Sequence, residues 1–357
     1  MRARSRSAPR LHLRTYLVSG YALLLAYVSL SPFVGWQDQG LSFIDVLTAP
    51  LAQTFTWFDF FLNYLAYIPL GILLAYVLRI HRPAAQVLLL AALCGLMLSV
   101  AMEYAQMYLP SRVSSNSDLL SNSSGTLTGA VIALLIAQYS GYTHIASWHD
   151  KWFKHGWIYD FGLALLAMWM FAQTNPSLPM LGSVFVGGVA RWPFDIVPES
   201  PFNWLECTEV ALNLLLLGIL LSTLLRERRH MLGALLLVLC MVTLVKFVAA
   251  AVLLKSWALL IWLNSEAILG IIAGLLLLAA VMRFSRDRLH VYGALAAVFY
   301  LALLQDLLYD EKPSTAMRLY HWHYTHMLNY NGLSQLVITL LPVLLLVYLW
   351  RTGLRRK

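Results

Sequence analysis

The sequence predicts an all-α protein, a polytopic membrane helix bundle of about ten transmembrane helices. Three observations carry this reading. Only 12% of the residues are charged and 60% are hydrophobic, where a soluble domain carries about 25% charged residues. Apolar runs recur along the 357-residue chain, each near the roughly 20 residues needed to cross a 30 Å hydrocarbon core. Lysine and arginine gather in short clusters between those runs. Such clusters are membrane anchors, so the net charge of +8 implies lipid headgroups as partners and no nucleic acid.

Ten spans follow in order, at 15–34, 60–80, 85–107, 123–139, 157–172, 210–225, 231–254, 258–282, 289–308 and 333–350. The first follows a basic start, MRARSRSAPRLHLR, with no small-x-small cleavage site after it, so it reads as an uncleaved span and not a signal peptide. Pro83, Pro110, Pro179 and Pro313 break the chain between spans. Pro69 falls inside the second and predicts a kink. The fourth and fifth spans are short for a hydrocarbon core. Cys94, Cys207 and Cys240 lack ligand spacing and read as small core residues.

With the N-terminus inside, nineteen of the 25 Lys and Arg fall on inner segments and five on outer ones, and Lys246 lies within a span. This asymmetry places the protein in the inner (plasma) membrane with both termini cytoplasmic. The long connections 35–58, 173–209 and 309–332 then face outward, where recognition surface is expected.

An internal echo suggests a duplication. Gly71-Ile72-Leu73-Leu74 recurs as Gly218-Ile219-Leu220-Leu221, the same offset carries Asp59 onto Glu206, and Gly125/Gly129 recurs as Gly270/Gly274. A 4+4 parallel internal repeat with two further C-terminal helices divides the chain into 1–140, 141–288 and 289–357. The loop between spans seven and eight keeps only Lys255-Ser256-Trp257, so a full polar constellation is expected in the first part alone.

That constellation is one-sided. Glu103 and Gln106 share a face near the outer end of the third span, at a spacing of one helical turn. Asp59 opens the second span, and Asn63 lies one turn deeper. Arg112 and Asp118 fall in the loop, Ser121–Ser124 offer caps for the fourth span, and Asn122 lies among them. Arg112 is the expected partner of an anion, through a two-point contact or an ion pair with Glu103. Asp118 and Asn122 also suit helix capping. Gly71, Gly125 and Gly129 are helix-packing positions.

The run DFFLNYLAYIPLG, then EYAQMYLPSR, then Asp118, Asn122, Gly125 and Gly129 resembles the VanZ-like membrane family. The matching positions are Asp59, Asn63, Pro69, Gly71, Glu103, Gln106, Arg112, Asp118, Asn122, Gly125 and Gly129, within residues 15–140; residues 157–282 look like a degenerate copy. The resemblance implies a cell-envelope protein, named for antibiotic resistance of the glycopeptide type, and carries no established reaction. The expected role is an outward-facing polar site for an envelope lipid, a lipid-linked glycan precursor or an amphiphilic antibiotic. A transporter or flippase built from two repeats is the alternative, and a lipid-modifying enzyme the third. No G-x-S-x-G, H-E-x-x-H or Walker pattern occurs, so no cofactor or catalytic residue is proposed. His321, His323 and His326 read as interfacial histidines before metal ligands, and Lys246 as a structural partner of Glu266.

Overall fold

The computed structural model describes residues 11–50, 57–80, 82–138, 151–185, 202–284, 286–309, 312, 314–321 and 325–354. It forms two compact units, residues 1–149 and 150–357. Helices account for the regular structure, and the described residues contain only isolated β-bridges besides.

In the first unit, four long helices stand at the first four expected spans: α1 (Leu11–Leu30), α3 (Trp57–Leu78), α4 (Ala84–Gln106) and α5 (Asn116–Ile136), with a short α2 (Phe43–Thr48) in the first connection. The main contact is α3 against α5, with α4 packed on both. Glycine makes it so close. A Cβ added at Gly71 would collide with the Thr126 carbonyl oxygen, and one at Gly129 with that of Ile68. Backbones therefore meet where a side chain would normally hold them apart. Helix α3 runs unbroken through Pro69.

The start of α5 differs from the expectation. The helix begins at Asn116, seven residues earlier than the fourth span, with Ser115 as its cap. The Ser115 hydroxyl accepts the Ser117 N–H at 3.2 Å. Asp118 thus lies in the first turn and Asn122 well inside the helix, so neither caps it. The polar stretch reads locally as a loop, but its Ser117, Ser121 and Asn122 are buried against neighbouring helices, and the helix is long enough to span.

The second unit contains α6 (Trp157–Gln173), α7 (Trp204–Leu224), α8 (Met231–Leu253), α9 (Ser265–Val281), α10 (Arg286–Leu307) and α11 (Thr325–Leu354). Helix α7 is central, buried along nearly its whole length and packed by α9, α10, α6 and α8. Among the described residues, eight helices are long and apolar enough to cross a membrane, and α9 is a shorter apolar helix of 17 residues. The chain is a multi-pass membrane protein.

The outer connection expected at 173–209 is corrected in its first part. Residues Gln173 to Phe185 fold into the unit and are almost entirely buried. Asn213, nine residues inside α7, donates to the Leu181 carbonyl at 2.7 Å, and Lys246 of α8 donates to the carbonyls of Gln173 and Pro179 at 3.1 and 3.2 Å. Irregular backbone at this depth needs protein partners for its polar groups, and these side chains supply them. Residues 186–201 lie outside the described residues.

Candidate functional site

Glu103 sits three residues before the end of α4, with only 2% of its surface exposed. The chain leaves α4, turns through Arg112 and enters α5 so that the Ser115 N–H donates to Glu103 Oε2 at 2.8 Å. The Ser114 hydroxyl donates to the Glu103 carbonyl oxygen at 2.7 Å. The carboxylate therefore occupies the N-terminal end of α5, where unpaired N–H groups and the helix dipole favour an anion. Asp118, in the first turn of α5, lies within electrostatic reach of Glu103.

One turn deeper, Ser99 of α4 and Asn122 of α5 meet inside the bundle, with Asn122 Nδ2 donating to Ser99 Oγ at 2.9 Å. Tyr67 of α3 faces the same interior, within electrostatic reach of Glu103 and Asp118. Two atoms here stand out. Asn122 Oδ1 and the Tyr67 hydroxyl are buried without a hydrogen-bond partner, on residues only 5% and 3% exposed. A buried polar atom left unmatched costs about 1–3 kcal/mol, so each of these calls for an account. Asn63 and Asp59 continue the Tyr67 stripe along α3 at four-residue steps, and both are half-buried.

Two of the expected site residues do something else. Arg112 donates through Nη2 to the carbonyls of Val28 and Ser31 at 2.9 and 2.7 Å, and through Nε to Ser31 at 3.1 Å. Gln106 Nε2 donates to the Ser29 carbonyl at 2.9 Å. These carbonyls close the last turn of α1, where a helix has no partners of its own and its dipole is negative. Arg112 makes no ion pair with Glu103, correcting the expected one: the guanidinium is taken up by the end of α1. Burial lowers its pKa, but a guanidinium starts high enough to remain a cation.

Sequence reasoning missed Tyr67 and Ser99. Ser99 was traceable, since it precedes Glu103 by one turn on the same face of an apolar run. Tyr67, one aromatic among many, gave no signal.

The second unit also holds buried charge, against the expectation that polar chemistry stays in the first. Glu209 accepts from the Ser183 N–H at 3.2 Å and the Tyr300 hydroxyl at 3.0 Å. Lys246 reaches only carbonyls, and Glu266 accepts from the Asn203 N–H at 3.2 Å and the Ser265 hydroxyl at 2.9 Å, so the expected Lys246–Glu266 pair is not formed. Lys246 projects instead onto the inserted segment. Among the described residues no His, Cys, Asp and Glu group has metal-site geometry. His323 lies outside the described residues.

The helix pair α3–α5, the serine-capped α5 and the Glu103–Asn122 interior all lie in the first unit. Residues 6–137 match the VanZ/LLP1 family model. The VanZ-like match thus begins before α1 and closes with α5. Neither a curated protein nor a solved structure matches the chain.

Proposed function

We propose that the VanZ-like unit holds the polar headgroup of a cell-envelope amphiphile: a lipid, a lipid-linked glycan precursor or an amphiphilic antibiotic, the last in a glycopeptide-resistance-like role. One observation carries this reading: Tyr67 and Asn122 keep buried polar atoms unmatched beside the Glu103 carboxylate. Asp59, Asn63, Glu103, Asp118 and Asn122 form its wall, while Gln106 and Arg112 hold α1 against it. Mass spectrometry of lipids retained by the purified protein tests it. A discrete bound species should be depleted in Asn122→Leu and Tyr67→Phe; a lipid profile identical to that of the bulk membrane would count against it.

The proposed setting is the inner membrane with both termini cytoplasmic, supported by the nineteen-to-five distribution of basic residues. Cysteines replacing Val113, which is 73% exposed, and the exposed Lys151 should label from opposite sides. Labelling from one side would reject this topology.

A second reading, a transporter or flippase built from two repeats, has its own support. In the second unit the second and fourth helices of the proposed repeat, α7 and α9, also pack across small residues: Cβ atoms added at Gly270 and Gly274 would crowd Cys207 and Ala211 of α7. The inserted segment held by Lys246 and Glu209 resembles the broken backbone that lines transporter sites. Transmembrane movement of a labelled lipid in proteoliposomes, lost in Glu209→Gln with the fold intact, would favour this reading.

A further inference from the structure

We infer that the headgroup taken by the VanZ-like unit presents an ammonium with N–H donors rather than an anion. The inference rests on the proposed amphiphile site and narrows its ligand by the hydrogen-bond capacity the interior leaves over. That capacity is weighted toward acceptance, through Glu103, Asn122 Oδ1 and the Tyr67 oxygen. Glu103 brings a carboxylate whose side-chain contact is one backbone N–H, from Ser115. Asn122 uses one N–H of its amide on Ser99 and keeps Oδ1 without any partner. The Tyr67 hydroxyl can accept as readily as donate.

Arg112, the one cation of this region among the described residues, has turned away from the cluster to the carbonyls of Val28 and Ser31. An anionic headgroup would have to settle beside Glu103, with Asp118 in electrostatic reach, and meet no guanidinium. Like charges so placed repel in a low-dielectric interior. An ammonium reverses each term: it neutralises Glu103, and its N–H groups match Asn122 Oδ1 and the Tyr67 oxygen. A hydrocarbon tail would find apolar surface on the same two helices, where Met97 and Leu120 are 71% and 55% exposed. The cluster lies within about two turns of the α4 end, ~10 Å of helix rise, a depth a headgroup reaches without crossing the bilayer.

The full-length protein, exchanged into nanodiscs of defined composition, decides this by native mass spectrometry. Dioleoyl phosphatidylethanolamine offers N–H donors, phosphatidylcholine a cation without them, and phosphatidylglycerol an anion. Phosphatidylethanolamine should be retained at least tenfold over the other two, with the preference falling to within twofold in Glu103→Gln and persisting in Arg112→Lys. Equal retention of the ethanolamine and choline lipids would overturn the inference, since no N–H is then being read. Preferential retention of phosphatidylglycerol would overturn it while leaving the headgroup site standing. No retained lipid at all would remove the site itself, its acceptors being met by water. Free ethanolamine at matched concentration should leave no adduct; one as abundant as the lipid's would overturn the need for an amphiphile.

Discussion

The first unit leaves Asn122 Oδ1 and the Tyr67 hydroxyl unmatched in the interior that holds Glu103, whereas in the second Asn213, Glu209 and Lys246 all find partners. Asn213 accepts from the Trp169 indole N–H at 2.8 Å and donates to Leu181. Glu209 has two donors and Lys246 two carbonyls, and Asn175 joins Asn331, Ser334 and Ser177 in one network. Gln173 Nε2 and Ser183 Oγ are exceptions, and Ser123 Oγ is a further unmatched atom in the first unit. Both units bring two helices together over small residues, but the second fills its interior with its own backbone, the segment after Gln173. The difference teaches where to look first for a ligand: Lys246 and Glu209 are met by the unit's own backbone and side chains, whereas Asn122 Oδ1, in the interior that holds Glu103, is not.

The largest expected effect tests the shared device. Gly71→Ala would place a Cβ against the Thr126 carbonyl, which cannot move without moving α5. It should cost about 3 kcal/mol or more, at the upper end of overpacking penalties, and the yield of monodisperse protein should collapse. Gly233→Ala, where a Cβ meets open space, is the matched control and should be neutral or slightly stabilising.

Next comes the inserted segment. Lys246→Met leaves the Gln173 and Pro179 carbonyls without their donor, at about 1–3 kcal/mol each, and should lower the thermal midpoint in detergent clearly. An unchanged midpoint would mean that the segment stays in place without Lys246 and that the two interiors differ less in how their polar groups are held.

Arg112→Ala should come third. It removes the guanidinium's bonds to the end of α1, each worth about 1.5–3 kcal/mol at most for a charged donor, part of which water recovers at this half-buried position. Arg112→Lys should restore part of the loss. Ligand retained per folded molecule should stay constant in both, which separates a capping role from an anion-binding one. Gln106→Leu, with its one bond to Ser29, is the smallest effect, about 0.5–1.5 kcal/mol in the same unfolding measurement.

Residue by residue, the limits of sequence reading were physical. Glu103, Gln106 and Arg112 were visible as polar residues where apolar ones belong, because the cost of burying them is a local property. Which partner each one takes is not local: Arg112 bonds Ser31, 81 positions away, and Gln106 bonds Ser29, 77 positions away. An arginine and a glutamate nine residues apart look like a pair until the unsatisfied end of a third helix outbids the carboxylate.

The sequence by itself determined the membrane class, a helix at each of the ten expected spans (eight of them long and apolar enough to cross) and the stripe of polar residues in the VanZ-like unit, since hydropathy and periodicity follow from composition along a single helix. Only the tertiary structure decided that α5 begins at Asn116, that residues 173–185 fold inward, and that Asn122 Oδ1 and the Tyr67 hydroxyl stay unmatched. Those outcomes depend on which polar groups are left without partners once helices meet, and on what the neighbouring helices bring to match them.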